Sequence, residues 1–334
     1  MKNLFDYATK ELSQDAFLRW LFESYDDKEL GKTVRKLLTA FCELSDDEIV
    51  TELHTTAQWN KIDISVWVTT NKRKVALFIE DKTFSTEHNQ LSRYNRHIDC
   101  ITEYQVYKVF YKTTRIEQWE HRRLIAVNET SPTPWCSVEI RDIVCNLFAD
   151  CVNAENVILR QYAEHMRQIY MALLNTSRPC KNNDQIDFIK WTSYFEHLKA
   201  TVLDDEFGDQ AYFYTYRAGQ YPYVCLNIKA TGYDKEIPYL EIRSRDCVDN
   251  KFVARFLCYG MPQTDVNQQQ LLIERIQNEG SFVCKHLKYR KKGNDIFPKQ
   301  IGYTATVIVN NDEEFLALIQ KFTRVYLDLM QQWE

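Results

Sequence analysis

The chain has 334 residues, of which 45% are hydrophobic, 27% charged and 13% aromatic, with only 8 Gly and 7 Pro. This is the composition of a folded protein with room for two domains, and it excludes extended disorder. A formal net charge of −5 excludes a globally basic surface that would draw the whole chain onto nucleic acid, although local basic patches remain open.

The opening Met1-Lys2-Asn3-Leu4-Phe5-Asp6 has no apolar stretch of the kind that secretory signals carry, and no apolar run approaches membrane-spanning length. A cytoplasmic protein without membrane contact is expected. The ten cysteines form no CxxC or CxxH pair, and the closest two, Cys145 and Cys151, lack metal-ligand spacing. Several lie beside Phe, Val or Leu, so they are expected to be reduced core residues.

In chain order, Asp6 to Glu23 has the apolar spacing of an amphipathic helix (Ala8, Leu12, Ala16, Trp20), and Thr33 to Phe41 continues in helix. Ile49 to Leu53 and Ile62 to Val68 read as strands, the second alternating cleanly. A turn at Thr70-Asn71-Lys72-Arg73 leads into a strand from Val75 to Lys82. Ser85 or Thr86 is placed to cap a helix carrying Gln90, Leu91, Tyr94 and Ile98. Tyr104 to Tyr111 is the next predicted strand. A proline-marked loop, Ser131-Pro132-Thr133-Pro134, precedes predicted helices over Arg141–Cys151 and Asn156–Leu174.

The polar stretch Asn175 to Asp184 is the best linker candidate. Beyond it the pattern is helix (Ile186 to Val202), strands (Ala211 to Tyr216, Val224 to Ala230, Tyr239 to Arg243), helix (Gln268 to Asn278), strands (Ser281 to Tyr289, Gly302 to Val309) and a closing helix (Glu313 to Gln332). The expected architecture is α/β over residues 1–175, a mixed central sheet flanked by helices, followed by an α+β domain over residues 185–334.

Chemistry concentrates in the first half. Side chains alternate along a strand, so Glu80 and Lys82 project together at the end of Val75-Ala76-Leu77-Phe78-Ile79-Glu80-Asp81-Lys82. The five residues before Glu80 are apolar on both faces, as in a central strand covered on both sides. Asp63 lies between Ile62 and Ile64 and points away from them. If the strands of Asp63 and Glu80 form a hairpin through Asn71, two acids and an ammonium converge at one sheet edge. Such a set suits phosphodiester hydrolysis, which needs carboxylates to hold a divalent metal and a group to orient water.

The residues Ile62-Asp63-Ile64, Ile79-Glu80-Asp81-Lys82 and Gln90-Leu91-Ser92-Arg93-Tyr94 resemble the PD-(D/E)XK nuclease superfamily, in the branch with a helical QxxxY motif. The helix Glu11 to Leu21, the strand Tyr107 to Lys112, Trp135 and the pair Gln161-Tyr162 fit the same likeness, over roughly residues 3–175. The superfamily's naming proline is replaced by Ile62. The resemblance implies a restriction-endonuclease-like core. It further implies Asp63 and Glu80 as metal ligands with the backbone carbonyl of Asp81, and Lys82 orienting water and stabilising charge. Glu11, or Asp15 in its place, would be an outer or second metal ligand, and Gln90 and Tyr94 would brace the site or contact the phosphate backbone. The implied cofactor is Mg2+ or Mn2+, and the implied activity is a metal-dependent nuclease acting on DNA before RNA, in defence or DNA processing. A homodimer or an activating protein partner is left open.

The alternative is a catalytically silent module that binds nucleic acid or a small ligand on a nuclease fold. In the second half, Lys285-His286-Leu287-Lys288-Tyr289-Arg290-Lys291-Lys292 is either a nucleic-acid contact or a solvated strand end. The aromatics from Ala211 to Tyr223 are expected in the sheet core.

Overall fold

A computed structural model describes residues 3–7, 11–83, 89–116, 118–217, 223–231, 239–259, 283–292 and 295–331. The chain divides into two compact units, Met1–Met171 and Ala172–Glu334.

The first unit is built on a five-stranded sheet: β1 (Val50–Trp59), β2 (Ile62–Thr70), β3 (Lys74–Lys82), β4 (Gln105–Lys112) and β5 (Trp135–Val138), adjacent in that order. β1, β2 and β3 pair antiparallel, whereas β3, β4 and β5 pair parallel. Two tight turns make the antiparallel half. Asn60 and Lys61 both take positive φ, at 49° and 72°, the backbone that a two-residue hairpin loop demands. At the second turn, Thr70 N donates to Arg73 O at 2.9 Å. A parallel pair needs a longer crossover, supplied between β3 and β4 by α3 (Leu91–Ile98) and between β4 and β5 by α4 (Gln118–Glu129).

Both faces of the sheet are covered, which is why β3 is buried from Val75 to Lys82. On one face α3 and α4 bring Leu91, Tyr94, Ile98, Leu124 and Val127 against Ala76, Phe78 and Phe110. On the other lie α1 (Glu11–Glu23), α2 (Leu30–Cys42) and α6 (Val157–Leu173). There Phe17 stacks on Tyr162 at 4.0 Å, and the hydroxyls of Tyr162 and Tyr111 meet at 3.0 Å. The second unit is a six-stranded antiparallel sheet in the order β10 (Val283–Lys292), β11 (Asp295–Ile308), β9 (Lys251–Tyr259), β8 (Tyr239–Arg243), β7 (Val224–Ala230), β6 (Ala211–Arg217). Helices α7 (Gln185–Leu198) and α9 (Asp312–Met330) pack on it through Trp191, Phe195, Phe315, Phe322 and Tyr326.

Several expectations need correction. The helix predicted from Asp6 is a short 3-10 turn, Leu4–Asp6, followed by α1 from Glu11. The Asn3 side chain accepts from Phe5 N and fixes that separate turn. Arg141–Cys151 is not one helix. It is a single turn, α5 (Ile140–Asp142), then a wider π turn (Ile143–Leu147) and a 3-10 turn (Ala149–Asn153). The wide turn, closed by Phe148 N donating to Ile143 O at 2.9 Å, brings Phe148 into the core beside Ile143 and Leu147, whereas regular helical spacing would turn a residue five positions on away from Ile143. The helix predicted to Val202 ends at Leu198, continues as a π turn (Lys199–Leu203) and closes in α8 (Asp204–Phe207).

The stretch 175–184 lies within the second unit. Arg178 is buried, donates to Asp312 at 3.0 Å and stacks over Phe315. Tyr212 also departs from expectation: it is exposed and stacked on Tyr214, on the sheet face away from Phe213. Of the cysteines, Cys42, Cys151, Cys225 and Cys247 are buried, whereas Cys100, Cys136, Cys145 and Cys180 are exposed thiols. The predicted helix Gln268–Asn278 and the cap at Ser85 or Thr86 lie outside the described residues. No helix among the described residues is long and apolar enough to cross a membrane.

Candidate active site

The ladder of β2 and β3 ends with Ile64 opposite Ile79, and Asp63 and Glu80 are the next residues along the two strands. The Asp63 side chain reaches the adjoining backbone: its Oδ2 accepts from Asp81 N at 3.0 Å, and Oδ1 accepts from Gln58 Nε2 at 3.2 Å. Glu80 and Lys82 follow on the same face at the C-terminal end of β3, both buried. The Lys82 ammonium lies 2.6 Å from Glu80 Oε1 and 3.5 Å from Asp63 Oδ2, and it donates to the Asp81 carbonyl at 3.1 Å.

Three oxygens from Asp63, Glu80 and the Asp81 backbone therefore surround a single cation. These are the oxygens that the resemblance assigns to a metal. Among the described residues Glu80 Oε2 is buried with no hydrogen-bond partner, an acceptor in need of a cation or a proton. Burial first, and then the nearby Asp63 carboxylate, push the Glu80 carboxyl up to about 8, against the opposing pull of Lys82. The donor set is all oxygen, which suits magnesium or manganese. Among the described residues no group of three or more His, Cys, Asp or Glu side chains could hold a metal. A metal here would thus rely on two carboxylates, the Asp81 carbonyl and water.

Gln90 and Tyr94 stand one helical turn apart where α3 begins. Gln90 Nε2 donates to the Tyr94 hydroxyl at 3.3 Å. Burial, and then the charges of Glu80 and Asp63, raise the Tyr94 phenol above its ordinary range, so this ring lies within the field of the two acids. Glu11 opens α1, and its side chain lies outside the described residues. Asp15 is buried on the same helix.

The contact from α1 that sequence reasoning missed is Gln14. Its Nε2 donates to Asp81 Oδ1 at 2.8 Å on the face opposite Glu80. Also missed was a buried pair beside the site, Lys112 on β4 with Glu120 on α4. The period-2 pattern could have pointed to Lys112, since Phe110 and Lys112 alternate as Glu80 and Lys82 do. Nothing local to Glu120 marks it.

A family model of the PD-(D/E)XK nuclease superfamily matches residues 2–186. The chain belongs to that superfamily, whose members generally use divalent metals, typically Mg2+. No curated protein and no solved structure matches it.

Proposed function

We propose that the protein is a divalent-metal-dependent nuclease that hydrolyses phosphodiester bonds, in DNA before RNA, through Asp63, Glu80, the Asp81 carbonyl and Lys82. The observation that carries this reading is the convergence of those three oxygens on one cation at the end of a buried central strand. Asp63 and Glu80 would hold Mg2+ or Mn2+, with an acid of α1, Glu11 or Asp15, as an outer ligand. The metal would supply Lewis-acid stabilisation of the phosphate and a more acidic water. Lys82 orients the attacking water and stabilises negative charge developing on the phosphate. Gln90 and Tyr94 brace the acids from α3, and the QxxxY branch of the superfamily is the one this arrangement fits.

Lys82 sits among the ligand oxygens, and Glu80 is raised to about 8. The ion pairing of Lys82 with both acids favours a second reading, a silent nucleic-acid or ligand-binding module on the same fold. A cleavage assay on linear, circular and single-stranded DNA and on RNA, with Mg2+, Mn2+ or EDTA, decides between them. Metal-dependent cutting is expected. Binding without cutting under every metal would favour the silent module, and EDTA-resistant cutting would overturn the metal site.

A further inference from the structure

The face that carries Glu80 and Lys82 continues onto β4. In the parallel ladder of β3 and β4, Glu80 is opposite Phe110 and Lys82 is opposite Lys112. Residues so paired share a face, at a strand spacing of about 5 Å, so Lys112 stands beside Lys82. The backbone is tied beyond both: Thr113 N donates to Lys82 O, and Thr114 Oγ1 donates to Thr83 O, each at 3.1 Å. A second ammonium at this edge is a liability, because like charge opposes a cation and does so more strongly where water is excluded. Lys112 is buried, yet it is answered: its Nζ lies 2.8 Å from each carboxylate oxygen of Glu120, which is fully buried on α4. Buried ion pairs are poor devices for stability alone, since well-packed apolar residues often serve as well or better. A pair retained beside a cation-binding edge calls for another reason.

Resting on the metal site proposed above, we infer that Glu120 is a positioning residue for that site: its carboxylate neutralises Lys112, so that the Asp63–Glu80 edge keeps the negative potential a divalent cation needs. Glu120 itself touches no reacting atom. It acts through Lys112, and the two partners of the pair have opposite effects on the metal.

That opposition is the test, read as the affinity of the full-length protein for Mn2+ by electron paramagnetic resonance of the free ion. Glu120→Gln removes the carboxylate that answers the Lys112 ammonium and should weaken Mn2+ binding roughly tenfold or more at low salt. Lys112→Met removes the ammonium and should bind Mn2+ at least as tightly as the wild type. The double variant Lys112→Met/Glu120→Gln should return to wild-type affinity, and it keeps the inference testable if Glu120→Gln alone does not fold. A merely structural pair would lower affinity in every variant, and that result overturns the inference. So does unchanged affinity in Glu120→Gln when wild-type binding is sensitive to Asp63→Ala. Binding indifferent to Asp63→Ala would instead overturn the site reading, and the inference with it.

Discussion

At the scale of single residues, the site is a balance between two acids and one ammonium within a few ångströms. Removing Glu80 or Asp63 relieves repulsion between like charges, so either alanine variant should remain folded. Each should nevertheless lose cleavage by at least roughly a hundredfold, since metal stabilisation of the transition state is worth several kcal/mol. Circular dichroism and turnover measured together check this, and near-wild-type cutting in either variant sinks the ligand assignment. Lys82 behaves differently, because both carboxylates survive its loss. Lys82→Ala should still bind Mn2+ but cut roughly 10²-fold more slowly or worse, and Lys82→Arg should follow it, because a planar guanidinium has another reach and donor geometry.

The proton equilibrium of Glu80 gives a further expectation. Its carboxyl is raised from 4.5 to about 8 in the folded chain. Between those values the folded chain keeps a proton that the unfolded chain has released, so stability falls as pH rises through that window. Thermal unfolding in EDTA should show a melting temperature that declines from about pH 5 to pH 8 in the wild type. Glu80→Gln, which cannot ionise, should flatten that decline. A decline of equal size in both proteins would place its origin in another group.

At the scale of elements, β3 is the beam of the first unit, and its ties on both faces fix the acids. Gln14 on α1 holds Asp81 from the face opposite Glu80. Gln14→Ala would take a donor from a fully buried carboxylate, at a cost of about 1–3 kcal/mol. A lowered urea midpoint with an unchanged m-value is the expected reading, and an unchanged midpoint would show that α1 is not held by this bond. β3 was legible in the sequence because its apolar run leaves few alternatives to a strand covered twice. Glu80 and Lys82 were legible because strand alternation is strict. Gln14 was not, since its contact with Asp81 is made across 67 positions in the chain and helix spacing alone does not say which residue faces the sheet. α4 escaped the apolar pattern because Gln118-Trp119-Glu120-His121-Arg122-Arg123 reads as a polar surface. Its buried Glu120 is satisfied by a lysine from another element, and β5 was hidden by its shortness, Trp135–Val138. The turns after Ile140 departed from prediction because a helical composition there is bent to bury Ile143, Leu147 and Phe148 together.

At the scale of the whole molecule, the family match ends at residue 186, so the second unit has to be read from its own chemistry. The chain as a whole is acidic, at −5. Affinity for a phosphate backbone therefore has to come from local concentrations of lysine and arginine. One such concentration, Lys285 to Lys292, falls on β10, which forms an edge of the six-stranded sheet. An edge strand bearing like charges resists pairing with another chain, and that alone would account for its composition. Contact with nucleic acid makes a distinct prediction, because each phosphate neutralised by a lysine or arginine releases counterions and steepens the dependence of binding on salt. Reversing Lys288, Arg290 and Lys291 together to glutamate should weaken DNA binding at low salt. It should also reduce the slope of log K against log salt by about 0.9 for each phosphate that the strip no longer neutralises, up to roughly three phosphates. Fluorescence anisotropy of a labelled duplex, titrated from low to moderate salt in Ca2+ or EDTA to prevent cutting, measures both quantities. A flattened slope assigns substrate contact to the second unit. An unchanged slope would leave the strip as a guard on the edge of the sheet, and the search for the DNA-binding surface would return to the first unit.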